Sequence, residues 1–382
     1  MPKKILVIGA TGSQGIPVIM SLLAADEAGN PSPYSVRVLT RNPSSQKAKV
    51  LASLPGVEVV TGDWDDPETL IPAMQSCYGI FANTDTLVYG VPGEIYAAIK
   101  MFEYAHRVEG MKHFLWSSLD YGFKVRIAPE STNSFGGYDP EYGNAPHLNA
   151  KGVVADFLRS QASDADSAGR GLAWTIMTTG PYMENLGGYM LGARPTIDSA
   201  SQNGTVALSE VEHRDPSNPL VFDIPTKNGH IPMICLDDLG WWTRYIFDHL
   251  PETSGKELKC ASEWITMDEV VDTFVRVTGI PAIRKQISLD EFWSYRPESF
   301  PAFRKKIFQG MYSIWRDDLL TRDMEWIKKT HPNRYSLEKW IRERGWKGQW
   351  VPSRYGEPRV PSLKWFGSRA EEKLFATAPL DS

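Results

Sequence analysis

From residue 4 to about residue 120, short runs of β-branched and apolar residues alternate with stretches whose apolar positions recur every three or four residues. This alternation predicts a parallel sheet covered by helices on both faces, because a strand can rejoin its sheet in parallel only through a long crossover, usually helical. The predicted strands are Lys4–Ile8, Val36–Thr40, Val57–Thr61, Gly79–Ala82, His113–Ser117 and Leu172–Met177. Helices are expected near 14–25, 44–53, 67–75, 93–108 and 149–162, with Leu236–His249 returning to pack on the sheet. The fold class that follows is α/β, a doubly wound parallel sheet with a smaller, mostly helical C-terminal domain.

The rhythm breaks at 122–147, a segment with four glycines and three prolines and neither period. A loop of that size inside a domain is uncommon and is usually either functional or mobile; a lid and a mere surface excursion are both open readings. The chain is irregular again through 186–230, and helical patterns return at Leu289–Trp293, Ala302–Met311 and Leu337–Arg344. The expected division is a first domain of residues 1–185 completed by 231–265, and a second made of 186–230 and 266–382. Eight of the 13 tryptophans lie from Trp264 onward. They either staple a small helical core or line an aromatic cleft for a substrate.

Composition narrows the function classes. A net charge of −5 and a pI near 5.9 give no basic footprint, so direct nucleic-acid binding is not expected. No segment is long and apolar enough to suggest a membrane span, and the start, Met1 to Ile8, reads as a strand rather than a leader, which points to a cytoplasmic protein. Cys77, Cys235 and Cys260 are far apart with no metal-ligand spacing, so they are expected to be reduced core thiols and no metal site is predicted.

The strongest chemical signal is Gly9-Ala10-Thr11-Gly12-Ser13-Gln14-Gly15, which follows the first strand and opens the first helix. In that context glycines serve a tight turn, a close approach of backbone to a pyrophosphate, and helix–strand packing, while the helix N-terminus offers unpaired N–H groups. This predicts a Rossmann-type dinucleotide site. Cofactor choice is read at the end of the second strand, Thr40-Arg41-Asn42-Pro43, where no Asp or Glu occurs between Glu27 and Glu58. Arg41 offers a planar fork to a 2′-phosphate, so NADP(H) is expected over NAD(H). Asp63, after the third strand, is the candidate for the adenine amino group, and Asn83 and Thr84 could line the nicotinamide ribose.

These motifs, with Ser117-Ser118, the run His147-Leu-Asn-Ala-Lys151, Gly180-Pro-Tyr182-Met183-Glu184-Asn185 and Asp237-Asp238-Leu-Gly240, resemble the NmrA-like family, atypical members of the short-chain dehydrogenase/reductase superfamily. The resemblance covers roughly residues 3–275. It implies that Lys151 contacts the nicotinamide ribose, that Ser118, more than Ser117, orients a substrate, and that Tyr182, Met183 and Asn185 flank the nicotinamide or the cleft floor. One departure matters: where the superfamily has a tyrosine four residues before the lysine, this chain has His147. Positions i and i+4 share a helical face, so His147 is a candidate general acid beside Lys151. The resemblance implies either an NADPH-dependent reductase of a small, partly aromatic metabolite or a dinucleotide-sensing regulator acting through a protein partner. Asp237 and Asp238 read as the N-cap of the following helix. The oligomeric state is not legible.

Overall fold

The computed structural model describes residues 2–26, 28–124, 145–164, 171–188, 190–193, 218–294 and 302–349. Strands β1 (Lys3–Val7), β2 (Tyr34–Thr40), β3 (Val57–Thr61), β4 (Gly79–Ala82), β5 (His113–Leu119) and β6 (Ala173–Thr179) alternate with helices α1 (Gly15–Leu23), α2 (Gln46–Ala52), α3 (Pro67–Met74), α4 (Thr86–Arg107) and α5 (Pro146–Arg159). There follow β7 (Leu220–Phe222), β8 (Ile231–Met233), α6 (Leu236–Asp248), α7 (Leu250–Thr253), β9 (Lys256–Lys259) and β10 (Glu263–Ile265). Then come α8 (Met267–Thr278), β11 (Ala282–Arg284), α9 (Leu289–Ser294), α10 (Ala302–Arg316), α11 (Met324–Thr330) and α12 (Leu337–Arg344).

The central sheet runs β3-β2-β1-β4-β5-β6-β9, and every pairing in it is parallel. The order reverses between β1 and β4, and ligands of open α/β sheets bind at that switch, beyond the carboxyl ends of the strands. Continuous apolar strands follow from burial on both faces. Ile5 and Val7 pack with α1 and α6, whereas Leu6 and Ile8 pack with α3, α4 and α5.

Several elements differ from the sequence expectation: the short strands β7, β8, β10 and β11 have no predicted counterpart, α5 starts at Pro146 rather than near 149, and β9 and α4 also depart from it. β9, Lys-Glu-Leu-Lys, buries only Leu258 among its four side chains, so its pattern carries no strand signal; it forms by edge pairing with β6. Helix α4 begins at Thr86 rather than near 93, and Gly90 within it has φ 68° and ψ 168°, a region essentially confined to glycine. The sequence Gly90-Val-Pro-Gly93 reads as a break because the chain does kink there.

A separate apolar core joins β7, β8, β10, α8, α10 and α12. Trp315, Trp340 and Trp346 are buried in it against Phe222, Phe274 and Tyr312. Stapling, not a cleft, is the role of these three. Trp350, Trp365 and most of the expected loop at 122–147 lie outside the described residues. The three cysteines are free and buried, and burial raises the pKa of each thiol. Among the described residues no group of side chains is arranged to hold a metal, and no helix is long and apolar enough to cross a membrane.

Candidate functional site

The first βα turn is built by close approaches. Gly9 has φ +74°, and a Cβ there would lie 2.8 Å from the Asn83 carbonyl oxygen, so β1 and β4 can meet only at a glycine. At Gly15 a Cβ would fall 2.3 Å from the Ala10 carbonyl oxygen, which ties the start of α1 to the turn. Gly12 donates its N–H to Gly9 O at 2.9 Å. Gln14, at the N-cap of α1, makes no side-chain cap bond, so the first N–H groups of the helix receive nothing from it. Thr11 and Ser13 lie half-buried in the turn. The arrangement fits a dinucleotide pyrophosphate: a glycine cradle and an uncapped helix N-terminus at the switch point.

Gln14 faces inward. Its Nε2 donates to the Tyr182 hydroxyl at 2.9 Å, and its Oε1 accepts from the Ser117 hydroxyl at 2.7 Å. This chain links the turn to the ends of β5 and β6, and it engages Ser117. Ser118 lies on the opposite face of β5, the face that Trp116 presents to α5, and its hydroxyl meets the Leu119 carbonyl at 3.3 Å. Asn185 sits in the one-turn 3-10 helix Met183–Gly187, and its amide donates to the Met190 sulfur at 3.6 Å.

At the β2 end, Arg41 is largely exposed and stands 3.8 Å from Asp63. Tyr89, from α4, joins them by donating to Asp63 Oδ1 at 2.6 Å and accepting from Arg41 at 3.3 Å. Its ring packs on Trp64 with centroids 4.1 Å apart. Burial and the Asp63 carboxylate push the Tyr89 phenol above its ordinary pKa, so it remains a hydrogen-bond donor. Arg41 and Asp63 were anticipated; Tyr89 and Trp64 were not.

Beyond the end of β4, Lys151 is buried. Its Nζ donates to Thr84 O at 3.0 Å and to Thr84 Oγ1 at 2.9 Å, and it pairs with Glu94 at 3.1 Å. It also lies 4.4 Å from the Trp116 ring centroid. Glu94 is fully buried, and the hydroxyls of Thr84 and Thr86 donate to its two oxygens. Burial pushes the Lys151 pKa down, while Glu94 pulls it back up. Thr84 and Lys151 are each expected at the nicotinamide ribose from the sequence; Glu94, Thr86 and Trp116 are not. A glutamate in the first turn after a proline looks like any carboxylate complementing a helix dipole.

His147 stands one turn before Lys151 on α5, as expected, with its Nδ1 shielded from water and lacking a hydrogen-bond partner. Burial pushes the ring pKa down to about 4, with Glu94 opposing and Lys151 reinforcing the shift. At neutral pH the imidazole is therefore uncharged and a poor acid. Tyr121, the other aromatic near the helix, packs its ring over Gly152, with Lys124 5.6 Å from its centroid and paired with Asp156 at 2.6 Å; the two are three residues apart, not the four of the superfamily's Tyr–Lys pair.

The Asp237-Asp238 pair departs from the expected role. The N-cap position of α6 is Cys235, and both carboxylates tether the C-terminal chain instead. Asp238 binds His331 Nε2 at 2.9 Å, the Tyr335 N–H at 2.9 Å and the Ser262 hydroxyl, while Asp237 pairs with Arg344 at 2.7 Å. The glycine of the motif, Gly240, sits where a Cβ would lie 2.4 Å from Pro17 O, so it sets the crossing of α1 and α6. Near the ends of β5 and β6, Arg322 forms a two-pronged pair with Asp120 at 3.1 and 2.7 Å and donates to Thr179 O at 3.0 Å.

The NmrA-like family model matches residues 1–330, further than the sequence motifs alone reach, and so takes in the Arg322 segment. The chain is 30% identical over 325 residues, 81% of its length and 83% of the relative's, to an oxidoreductase with an NmrA-like family domain from Malbranchea aurantiaca. It is 36% identical over 280 residues, 73% of its length and 78% of the relative's, to an NmrA-like family domain-containing protein from Dictyostelium discoideum. Among solved structures, the negative transcriptional regulator NmrA in complex with NADP superposes with a TM-score of 0.62 at 15% identity, covering 90% of this chain and 95% of that one. An NADPH-dependent quinone oxidoreductase from Escherichia coli superposes with a TM-score of 0.61 at 17% identity, covering 89% and 99%. These two likenesses establish the fold, and the family match together with the fungal relative establishes that the chain belongs to the NmrA-like family.

Proposed function

We propose that the protein is an NADPH-dependent reductase that delivers hydride to a C=O, C=C or C=N bond of a small, partly aromatic metabolite. The observation that carries this reading is a buried lysine, Lys151, held beside Thr84 beyond the end of β4, on the sheet edge that also bears the glycine turn. The fungal relative's designation as an oxidoreductase supports it. Arg41 would meet the 2′-phosphate and the Gly9–Gly15 turn the pyrophosphate; Asp63 and Tyr89 would border the adenosine, and Asn83, Thr84, Lys151, Tyr182 and Asn185 the nicotinamide end. Reduced nicotinamide, when bound, supplies the hydride.

The protein's own contribution is to hold a proton and a charge. Lys151 keeps its ammonium out of water, where one positive charge acts more strongly on a developing negative charge than it would in solvent. Burial that lowers its pKa also makes the ammonium a better donor. His147, pushed down to about 4 by burial, is uncharged at neutral pH, which favours Lys151 as the proton donor. Ser118 would orient the substrate on the α5 side of β5.

One observation favours the sensor reading as the second: all three Lys151 protons already have acceptors within the protein. A dinucleotide-responsive regulator with a protein partner would need no free donor. A panel of quinones, enones, ketones and cyclic imines incubated with NADPH separates the two. Turnover with at least one class, reduced by a factor of about 10² or more in Lys151→Arg, supports the reductase. Tight NADP+ binding with no turnover on any class, and a partner captured in only one redox state of the cofactor, would replace it with the sensor.

A further inference from the structure

Resting on the proposed role of Lys151, a second residue acquires a function. We propose that Glu94 is the positioning residue of Lys151: it fixes the ammonium against Thr84 and keeps it protonated, so that α4 sets the pH range in which the lysine can act.

An ammonium has three donors, and here their acceptors are Thr84 O, Thr84 Oγ1 and Glu94 Oε1. Only the last carries charge. The Thr84 hydroxyl accepts from Lys151 and donates to Glu94, and the Thr86 hydroxyl occupies the other carboxylate oxygen. Every polar atom of this cluster therefore has a partner, a condition under which a buried network fixes one geometry.

The charged and titratable groups acting on Lys151 among the described residues are few. Glu94 comes from α4, Asp85 from the turn between β4 and α4, and His147 from α5 itself; Trp116 of β5 adds only its ring face. Asp85 is exposed and adds only a smaller pull in the same direction, and His147 is uncharged at neutral pH, so Glu94 is the main group opposing the burial that drives the lysine toward its neutral form.

Backbone geometry explains how Glu94 arrives there. Gly90, at φ 68° and ψ 168°, closes the short turn Thr86–Tyr89, and the helix restarts around Pro92. Glu94 then falls in the first turn of the restarted helix, where the macrodipole favours a carboxylate. Tyr89 and Glu94, on either side of that kink, serve the Arg41 end and the Lys151 end of the site respectively.

The test is a pH titration of lysine-labelled protein by NMR, without dinucleotide, following the Lys151 Cε and Nζ signals assigned through Lys151→Arg. In Glu94→Gln the titration midpoint should fall by about one pH unit or more, the scale of an opposite charge within 4–6 Å. An unmoved midpoint in folded Glu94→Gln overturns the proposal. Should that variant not fold, Glu94→Asp, whose shorter side chain withdraws the carboxylate, carries the test with the same sign and smaller size, and an unmoved midpoint again refutes it. Turnover gives the independent arm: the alkaline limb of kcat should move down in step with the NMR midpoint. A shifted midpoint in a protein that reduces nothing leaves Glu94 in its role and removes the reductase. Turnover whose limb and midpoint both stay put does the reverse.

Discussion

The two ends of the site use the same device, a cation beside a carboxylate, in opposite settings. Arg41 and Asp63 are 3.8 Å apart with side chains 62% and 26% exposed, whereas Lys151 and Glu94 are 3.1 Å apart and 7% and 0% exposed. Exposed pairs contribute roughly 0–1 kcal/mol because water and salt screen them, so Arg41 can exchange Asp63 for a ligand phosphate at little cost. Buried pairs are hard to separate, because removing one member strands the other in a poor solvent. One end is suited to choosing a ligand, and the other to holding a charge in place.

The largest effect that could break this comparison is on stability. Lys151→Met leaves the Glu94 carboxylate buried without its counter-charge and should destabilise the fold by about 3–5 kcal/mol. Urea unfolding reads it, and adding Glu94→Gln to the same chain should restore most of the loss. A single variant as stable as wild type would mean that the pair is not sequestered.

Arg41→Glu should leave stability within about 0.5 kcal/mol of wild type, as surface changes do. The preference for NADPH over NADH, expected at about 1.5–3 kcal/mol for hydrogen bonds to a charged group, should vanish. Calorimetry with both dinucleotides checks this, and equal affinities in the wild-type protein would contradict the phosphate role of Arg41.

The smallest effect concerns His147. Its folded pKa, about 4, lies below the ordinary 6.5, so between those values the unfolded chain binds more protons than the folded one. Stability should therefore fall as pH drops from about 6.5 toward 4, by at most about 1.4 kcal/mol per pH unit from this group. His147→Gln should flatten that slope and leave the shape of the kcat profile around neutral pH unchanged. A lost alkaline limb in this variant would restore His147 as the general acid.

Legibility in the sequence follows the range of the interactions. The bounds of β3 and β4 are those predicted, because their apolar runs end at Gly62 and Asn83. The glycine turn and the i, i+4 spacing of His147 and Lys151 are legible for the same reason, a local spacing, although α5 begins at Pro146, ahead of the expected 149. Glu94 was invisible because its partner is on another helix, and nothing near it separates a buried carboxylate from a solvated one. Arg322 and Asp120, 202 residues apart, and His331 and Asp238, 93 apart, are likewise pairs that only the folded chain brings together. Proximity to Lys151 was readable for His147 from i and i+4, but its low pKa depends on burial that the spacing does not reveal.

The division between a selecting end and an acting end is tested most directly by steady-state kinetics on Arg41→Gln and Lys151→Arg with varied NADPH and a saturating acceptor. The account predicts that Arg41→Gln acts mainly on the KM for NADPH, by about tenfold or more. Lys151→Arg, which keeps the charge but not the ammonium's geometry or acidity, should act mainly on kcat. A Lys151→Arg variant that turns over at the wild-type rate, or an Arg41→Gln variant whose loss falls on kcat, would contradict it.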